Sequence, residues 1–109
     1  MQITEISPIE VPVACRHAAQ LAGGLVCERL GLPGVRCRWY ESPKPIGELD
    51  AAEDGEIWLR VMTPANPIEL AYATAYQLAV QAERRGGTTN QTTVKLRAAS
   101  WAADFLRSL

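Results

Sequence analysis

The chain has 109 residues, 48% of them apolar, with a formal net charge of −1 and a sequence pI near 5.8. That size suits one domain with its own hydrophobic core, and residues 1–109 are read as a single unit with 1–10 as an extended lead-in. The near-neutral balance offers phosphate backbones no general attraction, which disfavours nucleic acid as a partner; no run approaches the roughly 20 apolar residues of a membrane span.

The first ten residues carry Glu5 and Glu10 and no basic side chain, unlike a secretory leader. Cys15, Cys27 and Cys37 show no paired short spacing, so they are expected to be small buried hydrophobes in a reducing compartment, the cytoplasm. His17 is the only histidine. On a helix it points about 200° away from Cys15, so the two cannot chelate one ion together.

From Pro12 to Leu30 the apolar residues Ala14, Ala18, Leu21, Ala22, Leu25 and Val26 recur at helical spacing. Pro12 fits the first turn and Gly31 is a natural stop, while Gly23-Gly24 inside the helix costs roughly 1 kcal/mol per glycine relative to alanine. Val35 to Glu41 alternates, with Val35, Cys37 and Trp39 on one side and Arg36, Arg38 and Tyr40 on the other, the period of a strand with one buried face. A short strand near 46–49 is expected next. Asp54-Gly55 then signals a turn, and Glu56 to Val61 alternates Ile57, Leu59 and Val61 against Trp58 and Arg60. Glu48, Asp50, Glu53, Asp54 and Glu56 are expected to form a solvated acidic hairpin tip.

Asn66-Pro67-Ile68-Glu69 is the sharpest local signal: an N-cap, a proline at the first helical position and a glutamate able to complete a capping box. The helix it opens is predicted to end at Arg85, before Gly86-Gly87, with Arg84 and Arg85 at the negative end of its dipole. A last helix, about 92–106, is expected to bury Val94, Leu96 or Ala98, Trp101, Ala102 and Phe105. The predicted fold class is α+β: an N-terminal helix, a small three-stranded, mostly antiparallel sheet and two C-terminal helices.

That element order resembles the minimal zincins, compact H-E-x-x-H metallopeptidase domains of phage and bacterial type. Glu56-Ile57-Trp58-Leu59-Arg60 is similar to their cleft-side strand, Thr74-Ala75-Tyr76-Gln77-Leu78-Ala79-Val80 to their zinc helix, and 97–106 to their final helix. The resemblance covers roughly residues 12–106 and retains no diagnostic residue. Tyr76 and Val80 stand where histidines would be, and Gln77 replaces the catalytic glutamate. Valine has no donor atom, an amide cannot take a proton from zinc-bound water, and Lys95 and Arg97 bring positive charge to the third-ligand region. What the resemblance implies is therefore a zincin-like domain without zinc, cofactor or peptidase activity, acting as a protein-binding or regulatory module of phage or mobile-element origin.

Its candidate partner-binding cleft comprises Trp58, Arg60, Tyr72, Tyr76, Gln77, Val80 and Arg97. The plainer alternative makes Tyr76 and Gln77 ordinary helix residues, with Tyr72 and Tyr76 an i, i+4 aromatic pair. Two rival functions come from other classes: a scaffold or oligomerisation module, and an enzyme with unforeseen ligands.

Overall fold

The computed structural model describes residues 3–5, 10–41, 55–61 and 66–109, residues 3–5 by their backbone alone. In chain order the elements are β1 (Ile3–Glu5), α1 (Val13–Leu30), β2 (Val35–Tyr40), β3 (Glu56–Arg60), α2 (Pro67–Arg85) and α3 (Gln91–Arg107).

The strands lie side by side in the order β1-β2-β3, and both pairings are parallel. This overturns the antiparallel sheet expected from the sequence. The register sets Arg36 beside Glu56, Arg38 beside Trp58 and Tyr40 beside Arg60. Backbone bonds from Arg36 N–H to the Gly55 carbonyl (2.8 Å) and from Val61 N–H to the Tyr40 carbonyl (2.8 Å) close the two ends of that ladder. Alternation has the same period in both strand directions, so it could not reveal the sense of pairing. The better clue was length. Residues 41–55 are too many for a tight hairpin and suffice for the crossover that parallel strands need. Gly55 does sit at a turn, with φ of 87° that a side chain would strain, but the turn delivers the chain into a parallel strand. A strand also begins earlier than expected, inside the supposed lead-in, and the strand expected at 46–49 lies outside the described residues.

The helices match expectation more closely at their ends than in their orientation. α2 spans the predicted residues, with the Asn66 side chain accepting from Ile68 N–H at 2.9 Å. α3 is capped likewise by Asn90, whose oxygen accepts from Thr93 N–H at 3.0 Å. Gly31 closes α1 in the left-handed region, at φ of 65°. The inward face of α1, however, is Cys15, Ala19, Ala22, Gly23, Val26 and Cys27; Ala14 is exposed, as are Leu21 (70%) and Leu25 (40%). In α3, Val94, Ala98, Ala102 and Phe105 are buried, Trp101 is half-buried and Leu96 is exposed.

The core forms where the inner side of the sheet meets α1 and α2. Val35, Cys37, Trp39, Ile57 and Leu59 come from the strands, Cys15, Ala19, Val26 and Cys27 from α1, and Leu70, Ala75 and Leu78 from α2. α2 packs on α1, on β3 and on α3. The three cysteines are buried thiols, and burial pushes the Cys27 thiol up. No helix among the described residues is long and apolar enough to cross a membrane.

Candidate functional site

Because Ile57 and Leu59 point into the core, Trp58 and Arg60 project from the opposite side of the sheet, together with Arg36, Arg38 and Tyr40 of β2. The parallel register stacks these residues into a ladder. Its anchor is Glu56, whose side chain is only 6% exposed. The Glu56 carboxylate accepts from Arg38 Nε at 2.7 Å and faces Arg36 Nη2 at 3.5 Å. A nearly buried carboxylate requires such partners, since ionised oxygens withdrawn from water without them carry a large desolvation penalty. Glu56 is therefore no part of a solvated acidic tip; Glu48, Asp50, Glu53 and Asp54 lie outside the described residues.

Held by that ion pair, the Arg38 guanidinium lies 5.6 Å from the centre of the Trp58 ring. This is the range in which the ring's negative face attracts a cation. Tyr40 meets Trp58 edge-on, with centroids 6.2 Å apart and planes at 61°. Burial pushes the Tyr40 hydroxyl above its usual pKa, with Arg60 pulling the other way. Trp58 Nε1 is buried and has no hydrogen-bond partner among the described residues. The side chains of Arg36 and Arg38 remain 53% and 41% exposed, so two guanidinium groups share one carboxylate and still reach solvent.

Gln81 fixes this surface to the helical layer, and it was missed in the sequence because glutamine on a helix ordinarily faces water. It is buried; its Nε2 donates to the Glu56 carbonyl at 2.6 Å and its Oε1 accepts from Gly55 N–H at 3.2 Å. The side-chain amide thus satisfies two backbone groups at the start of β3, as a neighbouring strand would. Its position at the inward phase of α2, seven residues after Thr74 and three after Leu78, was the available signal. Thr74, also buried, returns its hydroxyl proton to the Leu70 carbonyl within the helix at 2.7 Å.

The remaining cleft candidates lie on the helices. Tyr72 and Tyr76 stack, with centroids 6.4 Å apart and planes 11° from parallel. Gln77 and Val80 are also on α2, Gln77 half-buried. Tyr76 is pushed above its usual pKa by burial and secondarily by Tyr72, against a smaller opposing pull from Arg84. Arg97 faces Glu83 at 3.5 Å, and Thr88 Oγ1 donates to the same carboxylate oxygen at 2.9 Å. Arg97 also lines a cleft of about 310 Å³ with Trp101 and Asp104. Trp58 and Arg60 sit on β3, Tyr76, Gln77 and Val80 on α2 and Arg97 on α3, with α2 packed between β3 and α3. No three His, Cys, Asp or Glu side chains among the described residues converge to hold a metal ion. Comparison with family models, with characterised proteins and with solved structures gave no match.

Proposed function

We propose that this chain is a non-catalytic binding domain whose partner is a protein presenting acidic side chains to the outer face of the sheet. The observation that carries this reading is the ladder of Arg36, Arg38, Tyr40 and Trp58 around a single nearly buried carboxylate. Parallel sheets ordinarily have both faces covered, and here the described helices cover one. Arginine forks suit carboxylates, and aromatic residues with arginine are the side chains enriched where proteins meet.

The aromatic geometry favours protein over single-stranded nucleic acid. Arg38 already occupies the face of Trp58 and Tyr40 meets that ring edge-on, so no flat platform stands clear for a base.

The zincin-like outline of α2 supports only the absence of zinc hydrolysis. Val80 offers no ligand atom, and a Tyr76 hydroxyl held above its usual pKa is further from the phenolate a metal would need. Descent from such a domain, a phage or mobile-element origin and a cytoplasmic location are parts of the same proposal, the last supported by three buried thiols.

The test is a titration of the full chain with a glutamate-rich extended peptide and, separately, with a single-stranded oligonucleotide, following tryptophan emission. Saturable peptide binding is expected, weakened about tenfold by Arg38→Ala or Trp58→Ala, a change of roughly 1.4 kcal/mol, and further weakened by salt. Preferential oligonucleotide binding would transfer the surface to the other partner class. Peptide affinity unchanged in both variants would remove it from consideration.

A further inference from the structure

α1 carries a second apolar face that the fold leaves uncovered. Leu21 is 70% exposed and Leu25 40%, and they sit one turn apart, Leu21 nearly opposite Ala19 and Leu25 at the flank of the same outer side. No charged residue occurs from Ala18 to Cys27. A helix that is apolar on both sides is ordinarily covered on both. Gly24, half-buried, lies about 60° from Leu21 round the helix and carries no side chain there.

The polar side chains at the ends of the stripe indicate what covers it. His17 lies at one end and Glu28 at the other, both exposed, and neither forms an ion pair among the described residues. If a second α1 lies antiparallel about a two-fold axis between positions 22 and 23, paired residue numbers add to 45. Leu21 then meets Gly24 of the second copy, and His17 meets its Glu28. The two cations nearest these ends stand clear of the seam. Arg29 is turned onto the Phe105 ring at 5.0 Å and donates to Ser108 Oγ, and Arg16 lies about 140° round the helix from Leu21. The stripe is thus complementary to itself when reversed, leucine against glycine and an imidazole donor against a carboxylate acceptor, as an isologous contact requires.

We infer that the protein self-associates through α1, as an antiparallel pair of α1 helices crossing at Leu21 and Gly24. The occupant is a second copy of this chain. A helix of 18 residues is about 27 Å long, so the contact area falls at the low end for specific interfaces and the dimer is a weak, concentration-dependent one.

Sedimentation equilibrium of the full chain, from micromolar to millimolar, tests this. The wild type is expected to pass from monomer to dimer, and Leu21→Glu is expected to stay monomeric with unchanged circular dichroism. Two further variants read the antiparallel register. His17→Glu and Glu28→Arg should each weaken association severalfold, and the double variant should restore it. In the double variant the carboxylate introduced at position 17 of each copy faces the guanidinium introduced at position 28 of the other. A chain that remains monomeric at millimolar concentration, or dimerises equally well as Leu21→Glu, overturns the inference. Dimerisation that is lost in Leu21→Glu but not restored by the double variant overturns the antiparallel pairing.

Discussion

α1 and α2 have nearly the same length, 18 and 19 residues, and lie against each other, yet their sequences work in opposite ways. α2 has a side-chain cap, a proline in its first turn, a glutamate beside the cap, arginines in its last turn, and polar residues that mark its outer side. α1 begins at Pro12 with no side-chain cap, carries two glycines inside, and has apolar residues on both sides. The pair teaches that an apolar period reveals a helix, whereas its polar residues reveal which way it faces. α2 has both signals and α1 only the first. Of the α1 residues read at helical spacing, Ala22 and Val26 are buried, whereas Ala14, Leu21 and Leu25 lie on the outer side.

Mutations sharpen that contrast. Leu78→Ala, at a fully buried position of α2, should cost about 2–5 kcal/mol, read from the shift of a denaturant midpoint. Gln81→Leu keeps the bulk but orphans the Gly55 N–H and the Glu56 carbonyl; a loss of about 1–3 kcal/mol is expected. If Gln81→Leu proved neutral, the two bonds at the start of β3 would not be holding sheet to helix. Asn66→Ala should remove about 1 kcal/mol by uncapping α2, a handle for which α1 has no counterpart.

The pH response involves both helices. Cys27 on α1 and Tyr76 on α2 are each pushed up by burial, so the fold prefers their neutral forms. The unfolded chain therefore loses these protons first. Their contribution is fully present below the unfolded values, about 8.5 for cysteine and 10 for tyrosine, and declines as pH rises through the folded ones. Thermal melts should show an alkaline decline that starts earlier when Cys27 is present than in Cys27→Ala, the latter compared with its own value at pH 7. The smallest effect is reserved for α1's outer side: in dilute solution Leu21→Ala should change stability by no more than about 0.5 kcal/mol. A loss above roughly 2 kcal/mol at monomeric concentration would mean that Leu21 supports the monomer itself.

The candidate site was legible in part. Alternation in 35–41 and 56–61 placed Arg36, Arg38, Tyr40, Trp58 and Arg60 on one strand side each, and the structure sets those sides together. What alternation could not supply was the parallel pairing that brings Arg38 to Trp58 and Arg36 to Glu56. Nor could it show that Glu56 leaves water, because a glutamate after Asp-Gly has every local reason to be solvated. The cleft expected from Trp58, Arg60, Tyr72, Tyr76, Gln77, Val80 and Arg97 rested on an outline shared with another fold. Trp58 and Arg60 lie on β3, and Tyr72, Tyr76, Gln77, Val80 and Arg97 on α2 and α3.

Local chemistry in the chain decided where α2 and α3 begin, where α1 ends, and which strand residues are inward, since caps, glycine stops and period-two burial act within a few residues of their cause. Strand direction, the inward phase of α1 and the withdrawal of Glu56 and Gln81 from solvent were decided only by assembly. Each depends on which surface arrives from a distant part of the chain, and a buried carboxylate or amide is tolerable only once its partners, here Arg38 and the backbone of Gly55 and Glu56, have come into place.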